Sequence, residues 1–117
     1  MLAGVYNIRC DQGSTFQRVI TVTQPSATAD VQEPVDLTSY TARMQVRKTF
    51  GGVELIELTS GDGITLGGVD GTITIDMTAA QTSDITRSGV YDLELVTGDT
   101  VLKVLRGQFI LTPEVTV

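Results

Sequence analysis

The fold predicted by this sequence is an all-β sandwich of about seven strands. Three observations carry the expectation. Apolar residues recur at period two through most of the chain, as in TITIDM (72–77) and VYDLELV (90–96). Thr and Val are abundant, and Gly and Asp punctuate the apolar runs at the spacing of short strands. Only one stretch, 78–86, reads as a helical turn. The 117 residues fit a single domain, 1–117. A chain of this size buries about 65% of its unfolded surface, enough for one core without staples.

The elements follow in order. A first strand is expected over 5–9, closed by the turn DQGS. TFQRVITVT (15–23) is the second, with Phe16, Ile20 and Val22 on one face. Arg18 shares that parity, so the strand either bulges or lies near an edge. The segment 24–36 is polar, carries Pro25 and Pro34 and has no periodicity, so 24–35 is read as a long exposed loop. SYTARMQVRK (39–48) alternates cleanly. Tyr40, Ala42, Met44 and Val46 share one face, and Thr41, Arg43, Gln45 and Arg47 share the other.

FGG turns the chain into VELIELT (53–59), where neither face is clean. GDGITLGGVDG (61–71) reads as turn, short strand, turn. TITIDM places Ile73, Ile75 and Met77 inward. In TAAQTSDITRSG (78–89), Thr78 is placed as a helix cap and Gly89 as the helix end. VYDLELV places Tyr91, Leu93 and Leu95 inward, and TGDT is a hairpin turn. A long last strand, 101–111, changes character at Arg106 and Gly107, where a bulge or bend is expected. The tail is 113–117.

Composition narrows the chemistry. There is no histidine, which removes Ser-His-Asp and Cys-His machineries and most transition-metal sites. Cys10 is the single cysteine, so no internal disulfide forms; it is expected half-buried near the first strand, and pairing between chains is left open. Eight Lys and Arg against fourteen Asp and Glu give a net charge of −6, which argues against nucleic-acid binding. No apolar run approaches the roughly 20 residues of a membrane span. The start of the chain lacks a basic region followed by a long apolar stretch, so synthesis in the cytoplasm without a secretory leader is expected.

Other motifs fail on spacing. The glycine-rich 61–71 stretch has no Lys-Ser/Thr after it and does not fit a dinucleotide loop. Asp62, Asp70 and Asp76 lack EF-hand spacing and are read as solvated acids, so no metal and no cofactor is expected. No paired carboxylates are desolvated and no Ser-x-x-Lys occurs, so the chain is not expected to be an enzyme or to take a small-molecule substrate.

SGVYDLEL adds a topological cue. A tyrosine two positions before a core residue, after a short turn, is the pattern of the tyrosine corner on the sixth strand of immunoglobulin-like sandwiches. Tyr91 is the candidate corner. Leu93 stands where antibody domains place a cysteine, and Met44 is the expected filler where they place a tryptophan. In that architecture the third and sixth strands are neighbours. The outward Arg43 and Arg47 are then expected against Asp92 and Glu94, a reading preferred to an external acidic ligand.

With the strands placed, YNIRCDQGSTFQRVITV, VDLTSYTARMQVR, GVYDLEL and VLRGQFILTPEVT resemble a family of short proteins encoded among the virion-structure genes of tailed bacteriophages and prophages. Members read Q-G-x-T-F, then D-L-T-x-Y-x-A-x-M-Q-[IV]-R, then Y-D-L-E, then G-x-[FV]-x-[VL]-x-P-E-V-T. The resemblance runs from Tyr6 to Thr116, and the loop 24–34 is longer than the family's. It implies a non-enzymatic, multi-copy β-sandwich in the tail, baseplate or fibre-attachment region. Such a protein is located in the virion, with other virion proteins and itself as partners, and the resemblance brings no catalytic residues.

Candidate partner contacts are Leu2, Gln24, Pro25, Val31, Gln32, Pro34, Val115 and Val117. The alternatives are a capsid decoration protein or a host-surface glycan-binding module. Sugar binding favours exposed aromatics, and only three Phe and three Tyr are present, most expected inside.

Overall fold

The computed structural model describes residues 4–26 and 31–115. Among the described residues, eleven strands form an all-β sandwich with one short α-helix and one 3-10 turn, Gly68–Asp70. They are β1 (Gly4–Val5), β2 (Ile8–Asp11), β3 (Phe16–Thr21), β4 (Thr23–Pro25), β5 (Gln32–Pro34), β6 (Thr41–Arg47), β7 (Glu54–Ser60), β8 (Gly63–Leu66), β9 (Thr72–Met77), β10 (Gly89–Thr97) and β11 (Thr100–Thr112), with helix α1 (Ala79–Asp84) between β9 and β10.

The main sheet runs β1-β11-β10-β6-β7-β8-β9-β3, and β2 also pairs with β11. β11, β10, β6 and β7 make one layer, while β8, β9 and β3 make the other. Two parallel pairs, Thr59 with Gly63 and Ser60 with Ile64, join the layers along one side. The order β11-β10-β6 against β8-β9-β3 is the G-F-C against D-E-B arrangement of the immunoglobulin sandwich.

Period-two alternation explains the core. Ala42, Met44 and Val46 of β6, Ile73, Ile75 and Met77 of β9, and Tyr91, Leu93 and Leu95 of β10 are all buried. Leu93 lies directly opposite Met44, so these two fill the centre of the sheet where an antibody domain has its cysteine and tryptophan. Phe109, Ile8, Phe16 and Leu58 complete one continuous cluster.

Several local expectations are corrected. The 5–9 strand is two strands: β1 and β2 both run parallel to β11, separated at Tyr6 and Asn7. The described parts of the 24–35 segment are not irregular, because β4 and β5 pair antiparallel with Thr23 opposite Pro34 and Pro25 opposite Gln32. A two-stranded ladder is all edge, so a proline lacking its N–H fits there. Of the two readings offered for Arg18, the edge strand holds: among the described residues β3 pairs only with β9, and without interruption, and the Arg18 guanidinium stacks 4.8 Å over the Phe16 ring.

β7 begins at Glu54, and its blurred pattern has a cause. Val46 pairs with Ile56 but Arg47 pairs with Glu54, so Leu55 is an extra residue that breaks the alternation. Thr78 caps α1 through a full capping box with Gln81, but the helix ends at Ile85. Gly89 belongs to β10, where a Cβ would sit 2.1 Å from the Arg47 carbonyl oxygen. The bulge of β11 is at Val104, not at Arg106 and Gly107: Glu94 pairs with Lys103 and Leu93 with Leu105, leaving Val104 over.

Candidate interaction surfaces

Four features were singled out as candidate sites, and the fold distributes them over separate surfaces. The first is the charged face of β6 and β10. Glu94 pairs with Arg43 in register, and Arg43 Nε lies 2.9 Å from Glu94 Oε1. Arg47 and Asp92 do not meet. Register sets Asp92 opposite Gln45 and Val90 opposite Arg47. Asp92 instead pairs with Lys103, a residue of β11 that sequence reasoning had left aside, at 3.0 Å. Arg47 donates to Gln45 Oε1 from Nε (3.1 Å) and Nη2 (2.8 Å), and to the Gly52 carbonyl from Nη1 (2.8 Å). Its acceptors are neutral, and among the described residues it forms no ion pair, although Glu54 lies opposite it on β7.

Tyr91 is the second feature. Its hydroxyl donates to the Tyr6 carbonyl, 85 residues upstream, and not to the backbone just before β10. The corner geometry is therefore replaced by a tie to the N-terminal segment. Gly107 makes the tie accessible, because a Cβ there would lie 2.4 Å from the same Tyr6 oxygen. Burial, and then the neighbouring Tyr6, raise the Tyr91 phenol well above its ordinary value. The group stays protonated and keeps its proton for the hydrogen bond.

The third is the β4–β5 pair, carrying Gln24, Pro25, Gln32 and Pro34, with Val31, 61% exposed, at the end away from its base. None of these residues enters the core cluster. The base is tied instead by backbone bonds: Val22 N donates to the Gly71 carbonyl at 2.8 Å, and Val35 N to the Val22 carbonyl at 2.9 Å.

The fourth is the ends. Leu2 and Val117 lie outside the described residues. Val115 is 94% exposed, yet the tail is held just before it, since Glu114 N donates to Gln12 Oε1 at 2.9 Å. The other end of that side chain, Gln12 Nε2, donates to the Ile85 carbonyl at 2.9 Å. One glutamine of the DQGS turn thus fastens both the end of α1 and the start of the tail. Nothing in the strand pattern signals this, because the bonds span 73 and 102 residues.

Cys10 is fully buried in β2, deeper than the expected half-burial, and burial raises its thiol pKa, with the Asp11 charge adding to the shift. Among the described residues no group of three His, Cys, Asp or Glu could hold a metal ion. No helix among them is long and apolar enough to cross a membrane. Of the aromatics, Phe16, Tyr91 and Phe109 are buried, Tyr6 and Tyr40 pack against the core, and Phe50 is exposed.

No protein-family model matches the sequence, and no curated protein matches it. Among solved structures, a marsupial T cell receptor is similar, with a TM-score of 0.48 and 16% identity over 91% of this chain. The chain spans 48% of that receptor chain, about half its length.

Proposed function

We propose that this protein is a non-enzymatic structural component of a tailed-phage virion, acting as a multi-copy adaptor in the tail, baseplate or fibre-attachment region. The resemblance of an ordered set of sequence stretches to those of short virion proteins supports the reading. The observation that best supports an adaptor role is the β4–β5 hairpin: paired backbone that adds no residue to the core cluster. The outer edge of β3 supports it too, since among the described residues β3 has a partner on one side only, and its other side offers backbone donors and acceptors to a neighbour's strand. The molecule is elongated, 53 × 27 × 25 Å with a radius of gyration of 15.0 Å. A compact domain of this length has a radius of gyration of about 13 Å.

The reading is tested by mass spectrometry of purified phage particles from the source strain, separated into tail and capsid fractions. Recovery in the tail fraction at several copies per particle is the expected result. Recovery with capsids alone would replace the adaptor by a decoration protein. Absence from particles would overturn the virion reading, and a glycan array would then test the host-surface alternative.

A further inference from the structure

The outward face of β11, β10 and β6 carries a groove of about 620 Å³. Its apolar lining comes from Val5, Val90 and Phe50; Val5 is 69% and Phe50 88% exposed. Around them stand Arg47, Lys103 and Arg106, with Asp92 the one carboxylate of the lining. The groove therefore gathers three of the chain's eight cations and one of its fourteen acids. Lys103 is neutralised by Asp92. Among the described residues Arg47 donates to neutral acceptors and neither it nor Arg106 forms an ion pair, although Glu54 faces Arg47 across the β6–β7 ladder.

We propose that this groove binds an extended acidic segment of another protein, an apolar side chain seated between two carboxylates. Charge selects among occupants. A second copy docking face to face would set Arg47, Lys103 and Arg106 against the same cations of its partner. A nucleic acid presents a continuous row of phosphates, which needs a broad basic face, whereas the cations here are confined to the groove and bordered by Glu54, Glu57 and Glu94. A short segment with two carboxylates can be held inside that border. An acidic peptide meets two guanidiniums able to take a carboxylate each, and an apolar floor between them.

Geometry sets the spacing. Arg106 lies opposite Asp92 and Arg47 opposite Val90, so the two arginines are two strand spacings apart and offset by one pair of residues. Their Cα atoms are then about 12 Å apart. An extended peptide crossing the strands covers that distance with acids about three or four residues apart. This surface is distinct from the hairpin and the β3 edge, and the inference holds whatever assembly contains the chain.

The test is selection of random display peptides on the intact protein, followed by fluorescence anisotropy with the selected peptides. The expected consensus has two acids at that spacing flanking an aromatic or aliphatic residue. Arg106→Gln and Phe50→Ser, both at exposed positions, are expected to weaken binding roughly fivefold or more while leaving the melting temperature unchanged. Binding is also expected to fall as salt rises. A neutral or basic consensus, or peptides whose binding neither variant weakens, would overturn the proposal. So would sedimentation velocity showing a dimer that Phe50→Ser dissolves, which would assign the groove to a second copy.

Discussion

Replacing Tyr91 by Phe deletes one oxygen and tests how the N-terminal segment is held. Tyr91 is 4% exposed, and its ring is part of the core, which Phe preserves. The hydroxyl donates to the Tyr6 carbonyl between β1 and β2. A net hydrogen bond is worth about 1 kcal/mol, and a buried carbonyl left without a donor costs about 1–3 kcal/mol. A loss of about 1–2 kcal/mol is therefore expected, a fall in melting temperature of about 4–8 °C for a domain of this size. The loss is local, so the Tyr6 amide, which donates to the Arg106 carbonyl at 2.9 Å, is expected to lose hydrogen-exchange protection before the amides of β10 do.

The pH dependence gives a second readout from the same pair of proteins. The folded-state pKa of Tyr91 is raised above its unfolded value near 10. The phenol's contribution is fully present below that value and is lost as pH rises above it, because the unfolded chain ionises first. Wild type is thus expected to lose stability above pH ~10 more steeply than Tyr91→Phe. Urea titrations at neutral and alkaline pH, with amide exchange at neutral pH, measure both effects. Equal stability, equal exchange at Tyr6 and parallel alkaline limbs would refute the tie.

Three further outcomes follow from single contacts. Glu94→Gln is expected to destabilise by less than about 1 kcal/mol at low salt, because the Arg43 and Glu94 side chains are 49% and 27% exposed, and the difference should vanish in concentrated salt; a urea midpoint difference that persists in salt would contradict this. Gly71→Ala is expected to cost about 2 kcal/mol or more, since Gly71 has φ +69° and a Cβ would lie 2.8 Å from the Val22 carbonyl oxygen and 2.9 Å from that of Val35; unchanged thermal stability would refute it. The Cys10 thiol, buried and with a raised pKa, should resist an aromatic disulfide reagent at mildly alkaline pH until urea is added; prompt reaction of the native protein would contradict its burial.

Where alternation was clean, the strands were legible. Ala42, Met44, Val46, Ile73, Ile75, Met77, Leu93 and Leu95 all point inward as period two requires. What escaped was set by partners distant in sequence. Arg47 was expected to face Asp92 because both lie on outward faces of neighbouring strands. Outward faces do not fix register, and a shift of one pair leaves Asp92 beside Lys103. Prolines at 25 and 34 signalled a loop, yet they are tolerated at the ends of an isolated hairpin. The second role of Gln12 was invisible because its partners, Ile85 and Glu114, lie far along the chain.

The bulge in β11 connects the core to the proposed groove. From Thr97 opposite Thr100 to Glu94 opposite Lys103, β10 and β11 run in one register. Continued unchanged, that register would set Arg106 opposite Tyr91, on the core side. Inserting Val104 shifts the pairing by one, so Leu105 falls opposite Leu93 and Arg106 opposite Asp92. Val104 and Leu105 are then buried in succession, and Phe109 and Leu111 keep the inward phase. The change of phase that VLKVLRGQF shows around Arg106 and Gly107 is real, but the strand makes it two residues earlier, where both side chains at the kink are apolar. Turning an arginine out of the core and placing it on the outer face are one event, which is why a guanidinium with no ion pair among the described residues appears opposite Asp92.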